Sequence, residues 1–197
     1  MDRRFSNFII YKPYGMLSQF TPEGNKPALG ELYAFPKNCY PVGRLDSDSE
    51  GLLLITNDTS LNKKVLDPVV AHPRTYYVQV DGAVTDEALQ QLSDGVEIRV
   101  EGKNYHTHRA KAERIEEPGL PPRNPPVRFR KTIPTSWIAL TLTEGKNRQV
   151  RHMTAAVGFP TLRLVRVRIA GIELNGMQPG EVRPIDSAEL YHKLFGK

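Results

Sequence analysis

The sequence holds one cysteine, one tryptophan and no long apolar run, and each shortage closes off a class of protein. A single thiol, Cys39, can neither form an internal disulfide nor supply a cysteine-rich zinc site. Apolar runs such as Leu52 to Ile55 stop at four residues, far short of the roughly 20 that cross a bilayer, so no membrane partner is expected. Met1 to Arg4 lead at once into the mixed stretch Phe5 to Tyr14 instead of the apolar core of an export signal, which makes a cytoplasmic address the expectation. No Gly-x-Ser-x-Gly elbow, Walker loop or dinucleotide fingerprint occurs. The 197 residues, 39% apolar and 25% charged, suit one domain or two small lobes.

What the chain has in excess is positive charge, and it is unevenly placed. The formal net charge is +5, yet residues 118–172 hold ten basic side chains against one acid, Glu144, a net +9, while the other 17 basic and 21 acidic residues leave −4. Arginine dominates that segment, which favours recognition of phosphates and bases over a merely solvated surface.

Local patterning predicts short strands separated by turns and a few short helices. Strands are expected over Phe8 to Tyr11, Leu52 to Thr56, Tyr76 to Val80, Val96 to Val100, Trp137 to Thr143 and Leu164 to Ile172. Helices are expected over Pro27 to Tyr33, from an Asp58 or Thr59 cap to a stop at Pro68, from Thr85 to Gly95, from Asn147 to Val157, and over Ser187 to Phe195. Between Leu120 and Pro134, five prolines forbid regular structure and leave an extended basic loop. Strands outnumber helices and alternate in polarity, so the fold class is α+β with an antiparallel or mixed sheet.

Two metal readings are weak. Asp46, Asp48, Glu50 and Gly51 imitate the start of a calcium loop, but its twelfth place falls on Asn57, which cannot offer a bidentate carboxylate. His106 and His108 would share a strand face without a third ligand in view. No metal and no cofactor is expected.

The stretch Gly43-Arg44-Leu45-Asp46-Ser47-Asp48-Ser49-Glu50-Gly51-Leu52-Leu53-Leu54-Ile55-Thr56-Asn57-Asp58 resembles the active-site motif of the RsuA-type RNA pseudouridine synthases. Three further blocks follow that family's order: Ile9 to Gly15, Arg74 to Val80, and Thr143 to Met153. Arg74 stands where lysine is commoner. Pro122 to Arg128 and Ile133 to Trp137 resemble more narrowly the members acting on the large ribosomal subunit. The resemblance implies a pseudouridine synthase fold: a mixed, mostly antiparallel sheet, short flanking helices and a central active-site cleft. It implies one catalytic domain over residues 1–197, with lobes of about 1–71 and 72–197 as the alternative division, and no N-terminal RNA-binding module ahead of Phe8.

The implied reaction isomerises a specific uridine of large-subunit ribosomal RNA to pseudouridine, with the RNA free or in an assembly intermediate and the enzyme a monomer. The competing reading, a catalytically silent RNA-binding assembly protein, is disfavoured by an intact Asp46, Tyr76 and Arg151. By resemblance Asp46 is the catalytic carboxylate, Tyr76 stacks on the target base, and Arg151 pairs with Asp46 and fixes its aim. Tyr77, one residue along the strand, is expected in the core. The target base must be extruded, and Arg44 is the expected wedge, with an ion pair to Asp48 or Glu50 as its alternative. Lys12, Arg123, Arg128, Arg130, Lys131 and Arg148 complete the expected RNA-binding set, the proline-rich arm standing in for the absent module.

Overall fold

The computed structural model describes residues 5–67, 69–128 and 132–196. The elements run β1 (Asn7–Lys12), a 3-10 turn (Leu29–Glu31), β2 (Tyr40–Pro41), β3 (Glu50–Thr56), α1 (Thr59–Leu66), β4 (Arg74–Asp81), α2 (Asp86–Asp94), β5 (Glu97–Val100), β6 (Lys103–His106), β7 (Lys111–Ile115), β8 (Thr135–Leu142), α3 (Gln149–Ala156), β9 (Thr161–Ile169), β10 (Ile172–Glu173), β11 (Val182–Pro184) and α4 (Ser187–Phe195). They form two compact units, residues 1–72 with 166–197 and residues 73–165. The return of residues 166–197 to the first unit was not anticipated, because contiguous lobes cannot express a strand, β9, that begins in one unit and ends in the other.

In the first unit the strand order is β11-β1-β3-β9, with β2 on β3 and β10 on β9. β1 pairs antiparallel with both β3 and β11. All seven residues of β3 are buried, which is why its sequence is a continuous apolar run and not an alternating one. Phe8 lies opposite Ile55 and Ile10 opposite Leu53, and these four pack with Met16, Leu29 and Cys39 into one apolar core. The Asp58 carboxylate caps α1, accepting from the Ser60 and Leu61 amides, and Tyr191 of α4 donates to its other oxygen at 2.6 Å. Thr56 Oγ1 accepts from the Asp58 amide and donates to Asn7 Oδ1, so the end of β3 is tied to β1 and to the helix start.

In the second unit the order is β9-β4-β8-β7, with β4, β8 and β7 successively antiparallel, and β5–β6 form a separate hairpin. Thr85 caps α2 and Gly95 ends it. Ala88 and Leu92 of α2, Val150 and Met153 of α3, and Val78, Val80, Ile138 and Leu140 of the sheet share one core. The fold is α+β with a mostly antiparallel sheet. Among the described residues no helix is long and apolar enough to cross a membrane.

Candidate active site

The segment Gly43 to Ser49 is irregular, yet its backbone is held at several points. Ser18 Oγ donates to Leu45 O at 2.7 Å and accepts from Leu45 N at 3.0 Å. The Gly15 amide donates to Ser47 O at 2.7 Å, and the Ser49 amide closes a turn on Asp46 O at 3.0 Å. Gly15 has φ +83, a left-handed conformation that explains its residue type. At the far end Gly51 has φ +106, and a methyl there would overlap the Arg166 backbone. Leu45, Ser49 and Glu50 are buried, Asp46 is half-buried, and Arg44 is exposed.

Lys12 closes this arrangement from the end of β1. It is 0% exposed, and its ammonium donates to Met16 O at 2.7 Å and to Pro13 O at 3.0 Å. Burial pushes its pKa down from 10.5 to about 7, while Glu50, Asp48 and Asp46 draw it back up and Arg166 pushes it further down. Lys12 is therefore a buried amine whose desolvation outweighs the pull of the acidic loop. This corrects the expectation that it grips RNA: a fully buried amine between two carbonyls offers a phosphate nothing to bind.

In the second unit Tyr76 lies on β4, half-buried, and packs against the core that contains Val78 and Val80. The strand period gives these three one face, so Tyr76 sits at the rim of the core and Tyr77 turns to the other side. Tyr77 is half-buried as well. Arg151 is half-buried on α3, two residues before the buried Met153. Arg148, at the N-cap, is exposed and adopts φ +50, unusual for a residue with a side chain.

The loop before α3 is fixed by a carboxylate that sequence reading passed over. Glu144 accepts from the Tyr105 hydroxyl, the His108 amide and Gln149 Nε2. Burial pushes this carboxyl up, but the three hydrogen bonds outweigh it and leave it below the ordinary glutamate value. In return the Glu144 bond pushes the Tyr105 phenol up to about 12. Gln149 Oε1 also accepts from the Lys146 amide, and Lys146 Nζ lies over the Tyr105 ring. No local pattern could have revealed what Ser18 and Tyr105 hold, since Tyr105 is 39 residues from Glu144 and Ser18 is 27 from Leu45.

The remaining expected cations divide. Arg128 is exposed. Arg130 and Lys131 lie outside the described residues. Arg123 is turned inward on its own loop: Nε donates to Pro125 O at 2.8 Å, Nη2 to Pro126 O at 3.1 Å and Nη1 to Leu162 O at 3.5 Å. Its donors are thus directed at carbonyls of its own loop and of β9. Two more arginines of the basic segment, Arg163 and Arg166, are buried and donate to Pro121 O and Leu52 O.

Comparison with known proteins adds to this geometry. Residues 7–156 match the family described as RNA pseudouridylate synthase. The chain is 50% identical over 177 residues to the ribosomal large subunit pseudouridine synthase E of Vibrio vulnificus, covering 90% of this chain and 74% of that protein. It is 48% identical over 182 residues to the protein of the same name from Xanthomonas campestris pv. campestris, covering 91% and 95%. Among solved structures, the crystal structure of a pseudouridylate synthase is similar with a TM-score of 0.79 and 25% identity, over 97% of this chain and 74% of that one.

Proposed function

The chain belongs to the RNA pseudouridylate synthase family, of the RsuA type, and from that premise we propose that it converts a specific uridine of large-subunit ribosomal RNA to pseudouridine. The substrate comes from the relatives' names, which specify the large ribosomal subunit. In this isomerisation the bond from uracil N1 to ribose C1′ breaks, the base turns, and its C5 bonds to the same C1′; C5 loses a proton and N1 regains one. Nothing is oxidised, reduced or added, so the balance closes with the protein's own groups.

The observation that carries the reading is Asp46 itself, a half-buried carboxylate whose neighbours Leu45 and Ser47 are both anchored through their backbones. Such a group can meet a bulky nucleotide while staying aimed. Asp46 acts at the junction of sugar and base. Tyr76 stacks on the uracil and Arg151 supplies positive charge to the reaction centre. Arg44, exposed, fills the space left by the extruded nucleotide. Arg128 and Arg148 meet phosphates, and Arg130 and Lys131 extend that contact. The enzyme works in the cytoplasm as a monomer, on RNA that is free or in an assembly intermediate.

Asp46→Asn keeps the shape and removes the charge. It is expected to abolish pseudouridine formation, read by carbodiimide mapping of the RNA, while RNA binding persists and the RNA mass stays unchanged. Turnover at the wild-type rate by this variant ends the assignment.

A further inference from the structure

Resting on the reading of Asp46 as the catalytic carboxylate, we propose that Ser18 is a positioning residue for it: one hydroxyl, bonded to both the amide and the carbonyl of Leu45, sets the direction in which the next residue projects its side chain.

Leu45 O lies in the rigid plane that also contains the Asp46 amide, so a hydrogen bond at 2.7 Å from Ser18 Oγ fixes the orientation of the peptide entering Asp46. Asp46 O lies in the next plane, which the Ser49 amide holds at 3.0 Å. With both flanking planes held, Asp46 has little backbone freedom left, and its Cβ points one way. Ser18 can do this only if it is itself immobile. Its neighbours supply that: the Leu17 amide donates to Pro27 O at 2.9 Å, Gln19 O accepts from the Leu29 amide at 2.8 Å, and Lys12 closes the turn from Pro13 to Met16.

Alanine at position 18 removes both bonds and leaves the peptide before Asp46 able to rotate. Threonine keeps the hydroxyl. Misplacement of a reacting group by about 1 Å costs on the order of a hundredfold in rate.

The experiment measures single-turnover rate at saturating ribosomal RNA, RNA dissociation constant and urea midpoint for wild type, Ser18→Ala, Ser18→Thr and Asp46→Asn. The expected result is a rate about ten- to a hundredfold lower for Ser18→Ala, an unchanged dissociation constant, a small shift in midpoint, and recovery in Ser18→Thr. A wild-type rate for Ser18→Ala overturns the proposal. So does a loss of rate that travels with weakened RNA binding or a collapsed midpoint and that threonine does not restore, since that pattern means Ser18 holds the fold only. Asp46→Asn separates the two levels: if it is inactive and Ser18→Ala is not, only the positioning role fails, whereas an active Asp46→Asn removes the site reading on which that role depends.

Discussion

The Asp46 loop and the proline-rich arm are both irregular, basic-flanked segments, and they are held by opposite means. Around Asp46 the donors come from elsewhere in the chain: the Gly15 amide reaches Ser47 O and the Ser18 hydroxyl reaches Leu45 O. In the arm the prolines have removed backbone donors, so the carbonyls of Pro121, Pro125 and Pro126 must be satisfied by something else. Arginine forks do it, Arg163 from β9 and Arg123 from the arm itself. A proline-rich stretch thus consumes some of the cations that surround it. Counting every arginine in such a stretch as a phosphate ligand overstates its charge toward RNA.

The largest effect is expected where the Asp46 loop enters β3. Gly51→Ala places a methyl against the Arg166 backbone at a φ that disfavours any side chain. The expected cost is about 3 kcal/mol or more in unfolding free energy, read by urea denaturation. A loss under about 1 kcal/mol would mean that this end of the loop yields, and the contrast with the arm would weaken.

Lys12 gives the next effect, and it depends on pH. Unfolded, Lys12 releases its proton near 10.5; folded, near 7. Between those values the unfolded chain holds the extra proton, so unfolding free energy rises with pH across that window, and the stabilisation is lost as pH falls through about 7. Lys12→Met should flatten this rise relative to wild type, by an amount of a few kcal/mol between pH 7 and 10. Parallel stability profiles for the two proteins would show that the amine is charged in place, against its burial.

The arm is the site of the smallest and most discriminating effects. Arg123→Ser should open the arm to proteolysis while leaving the salt dependence of RNA binding unchanged. Arg128→Ser should do the reverse, flattening the log-log salt slope by about 0.7 for one phosphate contact on single-stranded RNA. Equal slope changes in the two variants would show that Arg123 leaves its carbonyls for phosphates, and the distinction between the segments would fall.

Much of this was legible in advance because it is local. β1, β3, β4 and β8 announce themselves by apolar and β-branched runs, α1 and α2 by Asp58, Thr85 and Gly95 at their ends. β7 escaped because Lys111, Glu113 and Arg114 sit on an outer strand of the sheet, where exposed charged side chains mask the pattern. The two- and three-residue strands β2, β10 and β11 are too short to carry any period. At the site, the motif pointed to Asp46, but what fixes it did not show, since Ser18 meets Leu45 only through folding. The burial of Lys12, Arg163 and Arg166 was equally hidden, because a charged residue reads as surface until its carbonyl partners are known.

The division of the chain also has a consequence for synthesis. Residues 73–165 are contiguous, whereas the unit holding Asp46 is assembled from both ends of the chain. One edge of β3 is covered early by β1, but its other edge waits for β9 to be translated. Asp46 and the residues that anchor its loop, Gly15 and Ser18, are made early, yet Gly51 meets the Arg166 backbone only late, so the nascent chain passes most of its elongation without a finished reaction centre.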